Sequence, residues 1–365
     1  MVEEFKGKAM ELSYGAHVKL DRKDRKILAA LAYNARMTPS QLARTIGLSR
    51  NAIRLRIKHM EEQDVLRGSV TILNPFSSGL EIYGILLRYE NLREKEEATL
   101  LQHFVHHPFI IWFARSSGQW DFLLYLMAQN PGHLDSLLSE IKKASSCRIL
   151  AIETMYQLSL VKYFLFHGGL CQELNVQPQF PIKDSSYGKF LLKPPVSIGP
   201  SPAKIDEKDL KILSLLAENA TLSLKSLGEQ VNLSPDSVDY RILNLIKKEV
   251  ILAFDPLINM SYLHYHTYLL LAEFRSNTQD KEKRAFFLYC KSHPDTSFVM
   301  GTGGRWHASI YFIVKNPLEF FNIVNELRNR FGEMIQSYES LLIIKDYKFT
   351  FLPQGLLQLD QKLKA

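Results

Sequence analysis

The chain is written twice. LDRKDRKILAALAYNARMTPSQLARTIGLS, beginning at Leu20, aligns without a gap on IDEKDLKILSLLAENATLSLKSLGEQVNLS, beginning at Ile205. The alignment sets Asp21 on Asp206, Asp24 on Asp209, Asn34 on Asn219 and Ser49 on Ser234. Farther along, HPFIIWFARSSGQWDFLLYLMAQNP from His107 matches HPDTSFVMGTGGRWHASIYFIVKNP from His293, with His-Pro, Gly-x-Trp and Asn-Pro landmarks at one spacing. The fold must therefore be built from two copies of one two-part unit, each long enough for its own core. Two long copies mean duplication, because a solenoid repeats a short unit many times.

The first part of each copy reads as three short helices. Leu20, Ile27, Leu28 and Leu31 stripe the first. Thr38-Pro39-Ser40-Gln41 is a capping box with proline at the first helical position, Gly47 suits a left-handed C-cap, and Ser49 opens the third helix. Helix, short turn, capped helix is the helix-turn-helix pattern. VLRGSVTILNP then reads as a β-rich wing, and the second copy's wing reads as shorter, ending at Pro256 where the first ends at Pro75.

The second part alternates strand and helix: strand 82–90, helix 94–106, strand 109–115, a tight turn at 117–119, strand 120–128, helix 131–144 and a strand from Arg148. That order, βαββαβ, is ferredoxin-like, and the second copy repeats it from His264 to about Lys348. The expected class is α+β. An N-terminal arm spans 1–19, a winged helix-turn-helix 20–76, a ferredoxin-like domain 80–166, and a Pro- and Gly-bearing linker 167–203. A second winged helix-turn-helix spans 204–257 and a second ferredoxin-like domain 262–352. Phe180, Tyr187 and residues 190–192 suggest that the linker packs on a domain for part of its length.

SRNAIRLRIKHM, from Ser49, sets Arg50, Arg54 and Lys58 on one helical face and Ile53, Ile57 and Met60 on another. Such a face is either solvated or laid against a polyanion, and the duplicate decides. There the stretch becomes SPDSVDYRILNL, with Pro235 for Arg50, Asp236 for Asn51, Asp239 for Arg54 and Leu243 for Lys58. A helix freed from holding phosphate can lose its cations and take carboxylates. The candidate DNA-contacting set is Thr38, Gln41, Ser49, Arg50, Asn51, Arg54, Arg56 and Lys58. Leu55, off the apolar stripe, packs on a neighbour or touches a thymine methyl. The net charge of +7 suits a polyanionic partner.

Other classes fall away. Cys147, Cys171 and Cys290 are odd in number and ungrouped, so neither a disulfide framework nor a zinc site is expected. No apolar run approaches the ~18 residues that cross a bilayer, and the N-terminus begins with acids, unlike a signal peptide. A cytoplasmic protein is expected. His103, His106 and His107 cluster at a helix end, and His264 and His266 share one side of a strand, without carboxylate or cysteine support for a metal. GTGGRWHA, from Gly301, leads into a strand and lacks GK[ST], so it reads as a β-turn rather than a phosphate cradle.

A helix-turn-helix opening L-D-x-x-D-x-x-I-L, followed by a βαββαβ domain with S-G-x-x-D between its central strands, resembles the Lrp/AsnC (leucine-responsive, feast/famine) transcription regulators. The residues that carry the resemblance are Leu20, Asp21, Asp24, Ile27, Leu28, Gly47, Leu48, Ser49, Glu61–Gln63 before Val65, Asn74-Pro75, Gly118 and Asp121. They cover the first copy fully and the second with departures. The resemblance implies sequence-specific binding of double-stranded DNA by the helical part. It also implies a βαββαβ part that dimerises, assembles further into a homo-oligomer, and binds a small effector, commonly an amino acid. The family's effector pocket lies near the central turn, which nominates Gly118, Trp120 and Asp121 and their counterparts Gly304, Trp306 and His307. Turn glycines with packing tryptophans are the plain structural alternative. No cofactor and no membrane partner are expected. An alternative reading is an enzyme on the same scaffold: siroheme decarboxylases resemble this family, and Arg305 and His307 would then receive tetrapyrrole carboxylates.

Overall fold

A computed structural model describes residues 18–145, 147–163, 198–199 and 202–356. Most of the expected N-terminal arm and linker, with Phe180, Tyr187, residues 190–192 and Cys171, lies outside the described residues. The first copy contains α1 (Arg22–Tyr33), α2 (Pro39–Ile46), α3 (Arg50–Glu62), β1 (Leu66–Leu73), β2 (Glu81–Tyr89), α4 (Glu94–His106), β3 (Ile110–Ser117), β4 (Phe122–Ala128), α5 (Pro131–Ala144) and β5 (Ile149–Tyr163). The second repeats it as α6 (Glu207–Glu218), α7 (Leu224–Val231), α8 (Pro235–Lys247), β6 (Ile251–Ile258), β7 (His266–Phe274), α9 (Asp280–Ser292), β8 (Thr296–Gly303), β9 (Ala308–Val314), α10 (Pro317–Phe331) and β10 (Ile335–Phe349). Short 3-10 turns follow β1 and β6, at Pro75–Ser78 and Met260–Leu263.

The local signals act where the sequence puts them. Asp21 caps α1 by accepting from the Lys23 and Asp24 amides, while Asp24 accepts from the Asp21 amide in return. Thr38 and Gln41 cap α2 reciprocally, and Gly47 ends it at φ 72°, where a side chain would be strained. Ser49 accepts from the Ala52 amide to open α3. His264, expected on a strand, instead closes the Met260–Leu263 turn with φ 63°.

Two strands differ from expectation. β6 is as long as β1, eight residues, and the residue matching Asn74 is Asn259 rather than the one before Pro256. Pro256 lies within the strand, opposite Ser69. A two-stranded ribbon has free edges, so a proline facing outward forfeits no ladder bond. Each wing is thus a single strand, and the two strands pair antiparallel with each other across the copies. The pairing ties the two helical heads together. The first head's core takes in Ile258, Met260 and Tyr265 from the second copy, and the second head's core takes in Ala35 and Leu73 from the first. Arg36 adds a lock, donating to the carbonyls of Ala220 and Leu222 across the same seam.

The two βαββαβ units close into one barrel, ordered β10-β3-β4-β2-β5-β8-β9-β7, with β7 returning to β10. Strand exchange accomplishes this. β5 and β10 are fifteen residues each, about twice the length of their neighbours. β5 pairs with β2 along its first half and with β8 of the other copy along its second. β10 pairs with β7 first and then with β3. The outer face of each sheet carries its own two helices, over cores that include Phe104, Phe113 and Phe122 in one copy and Phe286, Phe312 and Ile323 in the other. The inner faces meet in a shared core holding Leu86, Leu123, Trp120, Leu269, Trp306 and Leu341. Each such side chain withdrawn from water contributes roughly 1.5–3 kcal/mol, so separating the copies would expose a large fraction of the interior.

The exchange is pinned by a reciprocal pair of lysines. Lys162, near the end of β5, donates to the His293 carbonyl and to Thr296 Oγ1 at 2.8 and 2.6 Å. Lys348, near the end of β10, donates to the His107 carbonyl at 2.6 Å. The His-Pro landmarks shared by the two copies are thus the docking points for each other's lysine. Desolvation lowers both ammonium groups to about 8. Between about pH 8 and pH 9 these lysines make the unfolded chain bind more protons than the folded one, and their contribution to stability rises with pH. From about pH 9 the Cys290 thiol, pushed up by burial, opposes that gain, and toward pH 10 buried tyrosines such as Tyr83 at about 12 join it. Urea denaturation should show greater stability at pH 9 than at pH 8, with a flatter slope in a Lys162→Met/Lys348→Met double variant. An unchanged slope would contradict this account.

Candidate nucleic-acid interface

Helix α3 rests on its core through Ile53 and Met60, which turns Arg50, Asn51, Arg54 and Lys58 outward into solvent. Ser49, its cap, is exposed beside them. Arg50 and Arg54 have no ion-pair partner among the described residues, and Lys58 has only an exposed 3.5 Å contact with Glu62 one turn on. Exposed pairs of that kind are worth little, so all three cations are available to an incoming polyanion. Leu55 stands among them with 68% of its surface exposed. Thr38 and Gln41 lie at the head of α2, where their side chains are used in the capping box.

Arg56 departs from the expected set. Its guanidinium donates to Asp21 Oδ2 and Asp24 Oδ1, both at 2.6 Å, and so clamps α3 to the start of α1. Arg241 does the same in the second copy, at 2.7 and 2.6 Å from Asp206 and Asp209. Burial works in the other direction, but the hydrogen bonds from the Asp24 amide and Arg56 hold the Asp21 carboxyl below the usual carboxylate range. Arg56 is thus a fold-holding residue, already neutralised, rather than part of the free cationic face. The sequence carried the signal: of the four cations at positions 50, 54, 56 and 58, only Arg56 has a cation in the duplicate, and both carboxylates persist with it.

Helix α8 presents a different surface. Asp236 is exposed in its first turn, Tyr240 is 66% exposed at the position of Leu55, and Leu243 leans onto the second head's core. The frame of the head is kept and its cationic face is gone.

The expected effector residues lie at the seam of the barrel. The turn holding Gly118 (φ 126°) packs on Ser340 and Leu341 of β10, and the turn holding Gly304 (φ 103°) packs on Thr154 and Met155 of β5. A Cβ at Gly304 would stand 3.1 Å from the Thr154 carbonyl, so both the φ and the close approach call for glycine. Trp120 and Trp306 are buried in the shared core. Asp121 is already engaged: its carboxylate accepts from the Tyr89 amide at 2.7 Å and from Arg115 at 3.1 Å. Arg115 was not legible as a partner in advance, although it also accompanies Glu97 at 3.6 Å. His307 takes over the acceptor role of Asp121, receiving the Phe274 amide on Nδ1 at 3.0 Å and stacking on the Phe274 ring. The exchange of aspartate for histidine therefore conserves a strand-holding hydrogen bond. Arg305 lies over Trp306, 3.7 Å from Glu273 and 4.0 Å from Glu153.

The AsnC-type helix-turn-helix domain matches this chain twice, at residues 20–61 and 205–246. The glutamate uptake regulatory protein of Zymomonas mobilis is 30% identical over 146 residues, which are 40% of this chain and 88% of that protein. The proline dehydrogenase transcriptional activator of Rhodobacter capsulatus is 28% identical over 122 residues, 33% of this chain and 79% of that one. A solved siroheme decarboxylase, NirDL, matches 94% of this chain and 100% of its own with a TM-score of 0.55. Its identity is 12%, so the likeness is one of fold.

The clamp and the free face separate in a stability measurement. Arg56→Ala and Arg241→Ala should each cost roughly 1–2 kcal/mol in urea denaturation, because each removes the one guanidinium that two carboxylates share. Arg54→Ala should stay within about 0.5 kcal/mol of the parent. Equal losses from Arg54→Ala and Arg56→Ala would contradict the assignment.

Proposed function

We propose a division of labour within this chain, which belongs to the Lrp/AsnC family of DNA-binding transcription regulators: the first helix-turn-helix reads DNA, and the second serves as the rigid mount for the first. The carrying observation is the contrast between two heads with the same clamp. Arg50, Arg54 and Lys58 are exposed on α3, whereas Asp236, Asp239 and Leu243 stand on α8. Carboxylates near phosphates are repelled more strongly as water is excluded, so α8 cannot replace α3 on a duplex. Ser49 and Asn51 lie beside the cations at the helix start, where short polar side chains reach base edges or phosphate oxygens.

Because the two βαββαβ units pair within one chain, each chain offers one reading head. A palindromic operator then needs two chains, related by a two-fold axis. The working species in this reading is a cytoplasmic homodimer or larger even-numbered assembly of the 42.0 kDa chain.

A small effector completes the reading. Two relatives are named for the control of glutamate uptake and of proline dehydrogenase, which favours an amino acid or a product of one. The turns at Gly118–Asp121 and Gly304–His307 form the seam between the copies, so a molecule lodged there would act on their mutual packing. An enzymatic role like that of the siroheme decarboxylases is the weaker reading. Arg305 faces two carboxylates and His307 spends its Nδ1 on the backbone, a poor arrangement for receiving further carboxylates.

Anisotropy titrations on an operator selected from random DNA test the division directly. Arg54→Ala should cost ~1–3 kcal/mol if it reads a base, or lower the salt slope by about one if it holds a phosphate. Asp239→Ala should leave affinity unchanged or raise it. A larger loss from Asp239→Ala than from Arg54→Ala would refute the division, as would light scattering that finds a monomer binding a palindrome tightly.

A further inference from the structure

The barrel is not filled. Where its interior meets β6 and the turn after it, a cavity of about 160 Å³ is bounded by Trp112, Tyr125, Tyr311 and Phe298, with Asn259 and Asp346 among its polar groups. One water needs roughly 10–15 Å³ by the same measure, so there is room for a molecule of several heavy atoms. None of the six residues at the seam turns lines this space. The walls are aromatic: Trp112 stacks on Tyr125 at 5.5 Å and meets Tyr311 edge-on at 5.5 Å. The two tyrosine hydroxyls are hydrogen-bonded to each other, and Tyr125 also reaches Ser309.

Two polar groups in this apolar space have more capacity than the protein uses. Asp346 Oδ1 accepts from Trp112 Nε1 at 2.8 Å. Enclosure by protein pushes the carboxyl up to about 7, with the Trp112 bond working the other way, yet it retains accessible surface because it faces the cavity. Asn259 is 1% exposed; its Oδ1 accepts from Ser261 and its backbone N–H donates to the Val65 carbonyl, but its side-chain Nδ2 has no partner among the described residues.

The duplicate shows that the fold does not require the carboxyl. In the strand register Asp346 faces Ala114 and Phe349 faces Trp112, while across the barrel Leu160 faces Met300 and Tyr163 faces Phe298. Leu160 therefore stands where Asp346 stands in the other half, and Phe298 where Trp112 stands. Leu160 and Phe298 line the same cavity from the other half, with no charged group in the place of Asp346. A carboxyl in the equivalent place costs desolvation energy that its one hydrogen bond, from Trp112 Nε1, offsets only in part, and its second oxygen is left for a ligand.

We propose that this cavity binds a small organic amine with an apolar body. Its ammonium group pairs with the Asp346 carboxylate, its body lies against Trp112, Tyr125 and Tyr311, and the Asn259 amide meets any acceptor it carries. Aromatic faces add attraction for a cation in a desolvated site. The site is separate from the seam turns and from the DNA-reading face, and its test does not depend on either.

Calorimetry and thermal shift on the full chain with 2-phenylethylamine as probe decide the matter. The amine should bind and raise the melting temperature, whereas 3-phenylpropionate, of similar size but anionic, should do neither. Asp346→Leu, which copies the other half of the barrel, should fold at least as stably as the parent and weaken amine binding about tenfold or more. Asp346→Asn serves as a second variant that keeps the shape of the side chain, with the same expected loss. L-phenylalanine binding more tightly than the amine, with the difference removed by Asn259→Ala, would extend the proposal to a zwitterion. No binding of either amine to the parent, or unchanged binding by Asp346→Leu or Asp346→Asn, would overturn it.

Discussion

Strands β5 and β10 each begin in their own sheet and end in the other. The closed barrel and its shared core follow from that exchange. A four-stranded βαββαβ sheet covered by helices on one face leaves its second face apolar and its edges unpaired. Joining two such sheets edge to edge removes the edges, and burying the inner faces against each other creates the shared core. Because both partners are in one chain, the encounter needs no second molecule and its effective concentration is high. The seam turns, the reciprocal lysines and the cavity all exist only because the barrel closes.

Duplication also supplies an internal control on every side chain. Where both copies retain a group in the same contact, the fold requires it: Arg56 and Arg241 on their aspartates, Lys162 and Lys348 on their carbonyls, Asp121 and His307 on a strand amide. Where the copies differ while the backbone stays the same, the differing side chains are the candidates for function. The cations of α3 and the carboxyl of Asp346 are of this second kind. The pairing of β1 with β6 and the shared cores hold the two heads in one body.

Much of this was legible in the sequence, because helix caps, turn glycines and period-two strands are local signals. The capping boxes, the left-handed Gly47 and the βαββαβ order stand where the residues put them. Long-range partners were harder to read. Arg56 looked like one more cation on α3 because its carboxylates lie in α1, more than thirty positions away. Pro256 looked like the end of a strand because its tolerance depends on which edge of the β1–β6 ribbon it faces. Asp121 looked available to an effector, and only the closed sheet brings Arg115 and the Tyr89 amide to it. The cavity left no local trace, although the change from Leu160 and Phe298 to Asp346 and Trp112 between aligned copies was a trace of another kind.

The central claim is that a symmetric frame carries a single reading head. Site-directed cleavage measures this most directly. An iron chelate is attached at Asn51→Cys on α3, or at Asp236→Cys on α8, after the three native cysteines are replaced. Bound operator DNA should be cut from position 51 at discrete sites in each half of the operator, and should be left intact from position 236. Cleavage of comparable strength from both positions would mean that both heads lie on DNA, and the account would fail.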